Sequence, residues 1–402
     1  MNRPMTDLPS GAAAPRILSI SFSDFRSDSR VLRQLDVLHR HGPVTTLGYG
    51  DAPDGATDHI ELPRNLPSLP QTPLGVLKLG VRAYRSVEVD APAMQAALRA
   101  LGDREFDIVV ANEARALPIA FRVAGSPRVW CDLHEWAPQE RVHVLSWRLL
   151  VAPFMSWICG RYLPRVDAAT TINDSIAALY RENYGVEPEI VRNAIAFRPE
   201  LAPTPVPADT IRLVHSGGAV PGRNIEAIID AVDELGGRFT LDLYLLKARE
   251  GDSYWGMLQQ KIDASPHTTL HDPVAPDELP RVLNPYDLGV FLLPPHTPNH
   301  RMMLPNKFFD YVQARIGIVF NSAVETDRII TAHGLGVVVP GFTAADLVGA
   351  LRGLTRDDVT AYKTAVDAAA RDLSSEADVA VEHGILTRLA KYTRTVRKEG
   401  RR

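Results

Sequence analysis

Along the first half of the chain, apolar residues fall alternately into short continuous runs and into segments spaced three or four apart. Arg16-Ile17-Leu18-Ser19-Ile20 opens as a strand, a polar loop follows, and Val31, Leu32, Leu35 and Leu38 then recur at helical spacing before Gly42. This is the opening of a βαβ unit. Further strands are predicted at 44–47, 108–110, 128–130 and 168–172, with helices over about 92–102, 114–123 and 174–183 between them. Strand and helix in alternation imply a parallel sheet covered by helices on both faces.

Four prolines, Pro199, Pro203, Pro205 and Pro207, interrupt both periods between Arg198 and Thr210. Proline continues neither a helix nor a central strand, so the stretch reads as a stiff connector and marks a domain boundary. Beyond it the pattern restarts, with strands predicted at 211–214, 239–246, 268–271, 288–293, 316–320 and 336–339. The expected organisation is a disordered lead-in at 1–15, an N-terminal domain over 16–200, a linker at 201–210, a second domain over 211–380, and a helix with a basic tail over 381–402. The fold class is α/β, two doubly wound domains. Such sheets bind ligands beyond the carboxyl ends of their strands, which predicts a site in a cleft where two sets of strand ends face each other.

Composition narrows the partners. Lys and Arg total 44 against 48 Asp and Glu, and a formal charge of -4 gives no global field to attract nucleic acid. Cys131 and Cys159, the two cysteines, lie in no metal-ligand spacing, so neither a structural zinc nor a disulfide framework is expected, as suits a reducing cytoplasm. The opening MNRPMTDLPSGAAAP contains no apolar core of a signal peptide. The apolar stretch from Leu149 to Met155 is far shorter than the ~18–20 residues that cross a bilayer. Two basic segments leave a peripheral contact with the inner membrane face open. One is the tail with Arg394, Arg397, Lys398, Arg401 and Arg402, whose plainer reading is a solvated helix end; the other runs from Trp147 through Trp157, Arg161 and Arg165, whose plainer reading is core packing.

Candidate chemistry concentrates in three places. In Leu304-Pro305-Asn306-Lys307-Phe308-Phe309-Asp310, Pro305 suits the first turn of a helix, whose free amides and positive end make a place for an anionic phosphate. Lys307 adds a mobile charge, and Asp310 lies three residues on, on the same face, where a carboxylate can accept both hydroxyls of a ribose. The same spacing also describes an ordinary surface ion pair. In His215-Ser216-Gly217-Gly218-Ala219-Val220-Pro221-Gly222-Arg223, a strand is expected to end in small residues and a helix to begin near Arg223. Glycines let amides approach a diphosphate and an arginine offers it a bidentate fork, although a plain connection would look alike.

The third, Asp132-Leu133-His134-Glu135, follows a predicted strand, so that its polar groups sit at a carboxyl end. A histidine there can bond a sugar hydroxyl or stabilise developing charge, with Asp132 or Glu135 holding its tautomer. A zinc site of the H-E-x-x-H type is disfavoured, since Pro138 stands where the second histidine would and Gln139 follows it. Upstream, Ser27 or Asp28 caps the first helix, and Arg30 or the preceding loop is a candidate for contact with a bound sugar or acceptor.

Taken in order, Asp28-x-Arg30-Val31-Leu32-Arg33, the Asp132-x-His134-Glu135 segment, Thr170-Thr171-Ile172-Asn173, Val191-Arg192-Asn193 and the two motifs of the second half resemble the retaining glycosyltransferases of family 4, with the GT-B fold of two Rossmann-like domains. The resemblance spans roughly residues 16–390. It implies a UDP- or GDP-linked sugar donor bound mainly by the second domain, through Ser216, Gly217, Gly218, Asn306 and Asp310, the last on the ribose. Lys307 and Arg223 would lie near the diphosphate and His134 by the transferred sugar; Asp28, Arg30, Asp132 and Glu135 would contact sugar or acceptor. No metal and no further cofactor is implied. The acceptor would be a bacterial surface polysaccharide, glycolipid or lipid-linked saccharide. Members of the family often carry Glu eight positions before the second acid, where this chain has Met302, and the first loop lacks the paired glycines of many relatives. Two rival readings share the fold: a nucleotide-sugar 2-epimerase, and a nucleotide-binding protein without transfer activity.

Overall fold

The computed structural model describes residues 14–247 and 252–399, and side chains as far as Lys391. The predicted lead-in therefore lies almost wholly outside the described residues. So do Arg401, Arg402 and the side chains of Arg394, Arg397 and Lys398.

Two parallel sheets carry the chain. The first is seven-stranded, from β1 (Ile17–Asp24), β2 (Val44–Tyr49), β3 (Asp58–Leu62), β4 (Ile108–Asn112), β5 (Arg128–Leu133), β6 (Ala168–Thr171) and β7 (Glu189–Ile190), in the spatial order 3-2-1-4-5-6-7. The second is six-stranded, from β8 (Ile211–Ala219), β9 (Phe239–Lys247), β10 (Thr268–His271), β11 (Leu288–Phe291), β12 (Gly317–Asn321) and β13 (Gly336–Val339), in the order 10-9-8-11-12-13. Both orders reverse beside their first strand, which is the doubly wound arrangement predicted above. Central strands such as β4 are buried at every position, because helices cover both faces. The helix Ser29–Leu38 follows from its sequence: Asp28 caps it by accepting from the Val31 amide at 3.2 Å, and Val31, Leu35 and Leu38 are turned inward.

Several boundaries differ from the sequence reading, each for a local reason. The strand expected at 128–130 runs on to Leu133, since β4 and β6 flank it on both sides through Asn112↔Asp132 and Leu133↔Thr171. Asp132 is therefore a strand residue. Likewise β8 continues through the two glycines to Ala219, paired residue for residue with β9 from Ile211↔Phe239 to Ala219↔Lys247, so Ser216, Gly217 and Gly218 belong to a strand and not to a turn. The following helix starts at Ile225, two residues beyond Arg223. The helix expected over 114–123 is two short turns, Ala114–Ala116 and Leu117–Ala120. β3 is a half-polar edge strand and β7 has two residues, too few for a period to show.

The chain divides into two compact units, and not at the prolines. One holds the described residues up to Thr171, Ala177–Glu189 and the chain from Val379 onward; the other holds Ile172–Ile176 and Ile190–Asp378. The stretch 201–210 adheres to the second unit: Val206 is part of its core, the Thr204 hydroxyl donates to the Asn284 carbonyl at 3.1 Å, and Lys363 Nζ donates to Thr204 Oγ1 at 2.9 Å. Ala194 and Phe197 pack into the same unit's other core cluster. The C-terminal helix Glu376–Glu399, by contrast, sets Ile385, Leu386 and Leu389 against Ile17, Leu35, Leu38, Val44 and Trp130 of the first unit. It is a structural member of that unit, where the sequence reading left it as an appended tail.

Within the basic aromatic segment of the first unit, Trp147 is buried and Trp157 packs against Phe154 and Tyr84. The aromatic rings thus serve packing, while Leu145 and Leu149 stay exposed. Among the described residues no helix is long and apolar enough to cross a membrane.

Candidate active site

In the second unit, a cationic platform is built where β8 and β11 end and the helix Asn306–Gln313 begins. Pro305 stands at its N-cap with extended backbone, so that Asn306, exposed, opens the helix and its positive end. Lys307 in the first turn reaches back over Gly217. That glycine has φ 127°, a backbone conformation that L side chains rarely adopt, and a Cβ there would have to displace the end of the lysine side chain. The ammonium also sits 5.1 Å from the centre of the Phe291 ring. Burial, with the Arg223 charge beside it, lowers the Lys307 pKa to about 8, and Asp310 opposes this only in part. Two cations and one acid are thus gathered in a partly dehydrated place.

Its surroundings keep it so. His215 is fully buried, donates Nδ1–H to the Val290 carbonyl at 2.9 Å, and is held neutral because burial and then Lys307 depress its pKa to about 3. Ser216 is buried near Tyr311, whose hydroxyl donates to the Val290 carbonyl at 3.4 Å and whose ring fills the space over Gly289. Of the residues singled out in the second half, Gly217, Lys307, Asp310 and Arg223 come together; Ser216 is buried in support. Asn173 Nδ2 donates to the carbonyl of Met302 at 2.7 Å. His215 and Tyr311 were not anticipated, since a buried histidine in a strand and a tyrosine in a helix carry no signal of their own.

In the first unit, Asp132 at the end of β5 is the centre of a buried cluster. Its carboxylate, 1% exposed, accepts Arg30 Nε at 2.9 Å and Nη2 at 2.7 Å, Gln34 Nε2 at 3.2 Å and the Thr170 hydroxyl at 2.6 Å. Burial raises its pKa, but the charges of Arg30 and His134 outweigh that and hold it well below the usual carboxylate range. Arg30 is 7% exposed, so this pair faces inward, and Asp28 is occupied at the helix cap. What the cluster presents outward is His134.

Both ring nitrogens of His134 face carboxylates: Nε2 lies 3.2 Å from Asp132 and Nδ1 3.2 Å from Glu113. Burial lowers its pKa, yet the two acids more than compensate and the net shift is upward, so the ring is favoured as an imidazolium donating from both nitrogens. Glu113 follows β4 directly. It is held at φ 73°, a conformation that costs a non-glycine residue about 1–3 kcal/mol, while its amide donates to the Asp132 carbonyl at 2.8 Å. Burial raises its pKa. For Glu135, burial and then Glu113 and Glu140 push the value up to about 8, leaving it protonated at neutral pH. The cluster is therefore a store of dissociable protons around one histidine. Glu113 escaped the sequence reading, although it directly follows the strand Ile108–Asn112 and so stood at a strand end like Asp132. Among the described residues, no group of three or more His, Cys, Asp or Glu side chains is arranged to hold a metal ion.

The sequence matches no family model, and no curated protein matches it. Solved structures do resemble it. HepE of Anabaena, in complex with UDP and glucose, aligns over 95% of this chain and 100% of its own at 15% identity and a TM-score of 0.63. Sucrose-phosphate synthase of Thermosynechococcus elongatus aligns over 94% and 99% at 12% identity with a TM-score of 0.68. A trehalose-6-phosphate synthase, studied for glycosyl transfer with retention, aligns over 93% and 99% at 12% identity with a TM-score of 0.63. At such identities the likeness establishes the fold: this chain is similar to GT-B glycosyltransferases and has their two Rossmann-like units.

Proposed function

We propose that the chain is a glycosyltransferase of the retaining type, related to family 4, that moves a sugar from a UDP- or GDP-linked donor to a saccharide, glycolipid or lipid-linked acceptor without a metal ion. The observation that carries this reading is the platform of Lys307, Arg223 and the helix start around Gly217, with Asp310 one turn along. A nucleoside diphosphate is an anion suited to two cations beside a helix start, and Asp310 is suited to its ribose hydroxyls. As the bond to the sugar breaks, charge grows on the departing diphosphate, and Lys307, Arg223 and the helix amides stabilise it. The leaving oxygen can take the acceptor proton on the same face, so retention needs positioning more than a dedicated base. His134 serves the transferred sugar by exchanging one of its 3.2 Å carboxylate contacts for a sugar hydroxyl. That UDP-bound proteins share the fold supports the reading.

Calorimetric titration with UDP and GDP tests it. One of them is expected to bind in the micromolar range and to lose about tenfold or more in Asp310→Ala. Because phosphate favours the charged lysine, affinity should weaken as pH rises above about 8, approaching tenfold per unit until the lysine of the complex itself titrates. Failure of both nucleotides to bind, or pH-independent binding from 7 to 9.5, would sink the donor site. Binding with no donor sugar ever consumed would leave a nucleotide-binding protein, and turnover without acceptor an epimerase.

The setting we propose is the inner face of the cell membrane. Leu74, Val76 and Leu77 are exposed on the helix Pro73–Gly80, with Val81 next to it, and that helix touches the turn Trp147–Val151 that carries exposed Leu149. No acid occurs from 62 to 87 or from 141 to 166, whereas Lys78, Arg82, Arg85 and Arg148 do. Apolar side chains ringed by cations suit an anionic lipid surface. The full chain is expected to sediment with phosphatidylglycerol vesicles at low salt and not with phosphatidylcholine, less so after Leu77→Asp; remaining in the supernatant with both would end this proposal.

A further inference from the structure

A pocket of about 520 Å³ in the first unit is lined by none of the residues proposed to hold the donor or the transferred sugar. Three arginines line it, Arg64, Arg115 and Arg141, against one acid, Glu140. Arg64 is paired with Asp24. The other two are not so committed: among the described residues Arg115 makes one long contact, 3.4 Å to the Ser68 hydroxyl, and Arg141 lies 5.6 Å over the Trp147 ring, neither with a carboxylate at ion-pair distance. Trp147 itself lines the pocket, and its buried indole N–H has no hydrogen-bond partner. Two guanidinium forks and an unsatisfied donor in the lining of one pocket form an incomplete set. What would complete it is a compact anion with several acceptor oxygens.

The remaining lining describes the rest of the ligand. Asn65 and Gln71 offer amides, and Glu140 an acceptor, of the kind that bind hydroxyls, and the volume accommodates a hexose with a phosphate. The pocket also adjoins the histidine cluster, since the charges of Arg115 and Glu140 both reach Glu113 and Glu135. We propose that this pocket binds the phosphate ester of the acceptor, with Arg115 and Arg141 on the phosphate and Glu140 on a neighbouring hydroxyl. The acceptor is then a phosphorylated saccharide or a lipid whose headgroup ends in phosphate. This rests on reading the chain as a glycosyltransferase, and it moves the acceptor site away from Arg30 and Asp132, which are spent on each other.

The test is calorimetric titration of the full chain with three probes: inorganic phosphate, glucose 6-phosphate, and dihexanoyl phosphatidic acid below its micellar concentration. At least one is expected to bind, with affinity lowered about tenfold or more in both Arg115→Gln and Arg141→Gln. Arg141 is exposed, so its variant gives an answer even if Arg115→Gln folds poorly. Preference for glucose 6-phosphate identifies a soluble acceptor, and preference for the phosphatidic acid a lipid headgroup; either supports the pocket. Binding unchanged in the arginine variants, or no binding of any probe, overturns it. UDP and GDP are titrated into the same proteins: if neither binds the wild type, the donor reading fails while the phosphate result stands on its own.

Discussion

Turnover is expected to fall about a hundred- to a thousand-fold when His134 is replaced by alanine, with the affinity for UDP or GDP changed less than about twofold. The split follows from where the histidine stands. It belongs to the first unit, and the platform proposed for the nucleotide is built wholly from the second, so the loss should appear in kcat and not in nucleotide binding. Glu113→Gln probes the same side chain without removing it. The raised pKa of His134 depends on Glu113 and Asp132 together, so the imidazolium of the wild type persists above the ordinary histidine range near ~6.5. Its stabilising contact with the acids is complete below that range and is lost as pH rises through the raised value. Removing one acid should therefore move the alkaline limb of the kcat profile to lower pH. An unshifted limb in Glu113→Gln, or a His134→Ala enzyme with near-normal kcat, would falsify the assigned roles.

The second large effect is on stability. Asp132→Ala is expected to cost about 3–5 kcal/mol of unfolding free energy, read from urea denaturation followed by circular dichroism. The reason is what would remain: Arg30, 7% exposed, with its bidentate partner gone, and the Gln34 amide and Thr170 hydroxyl deprived of the same acceptor. Arg30→Met should be destabilising for the mirror reason, by leaving the carboxylate to Thr170, Gln34 and His134. A variant within about 1 kcal/mol of wild type would mean that water reaches the cluster and that the pair is not the framework of the histidine.

Much of this architecture could be read from the sequence, because parallel strands buried on both faces appear as unbroken apolar runs such as Ile108-Val109-Val110. The ends of strands could not. At Asp132 and at Gly217-Gly218 the apolar run stops while the ladder continues, held by neighbouring strands that sequence spacing does not reveal. The cationic platform proposed for the nucleotide draws on two local motifs, with Lys307 and Asp310 on one helix, and such local groupings show in a sequence. The histidine cluster was half legible. His134 and Asp132 are two residues apart, but Arg30 meets Asp132 across 102 positions, and a salt bridge of that range turned a candidate sugar contact into part of the core. The pocket of Arg64, Arg115 and Arg141 draws on three separated segments and left no pattern at all.

Discontinuity also governs when each unit can form. Ile385, Leu386 and Leu389 cover Ile17, Leu35, Leu38, Val44 and Trp130, so the earliest part of the chain waits for nearly the last. On a ribosome adding about 5–20 residues per second, the second unit is synthesised in full while that apolar face stands open for roughly ten seconds or more. The second unit can thus complete its core before the first does. Nascent chains stalled anywhere in the second unit would display the uncovered face as a handle for chaperones.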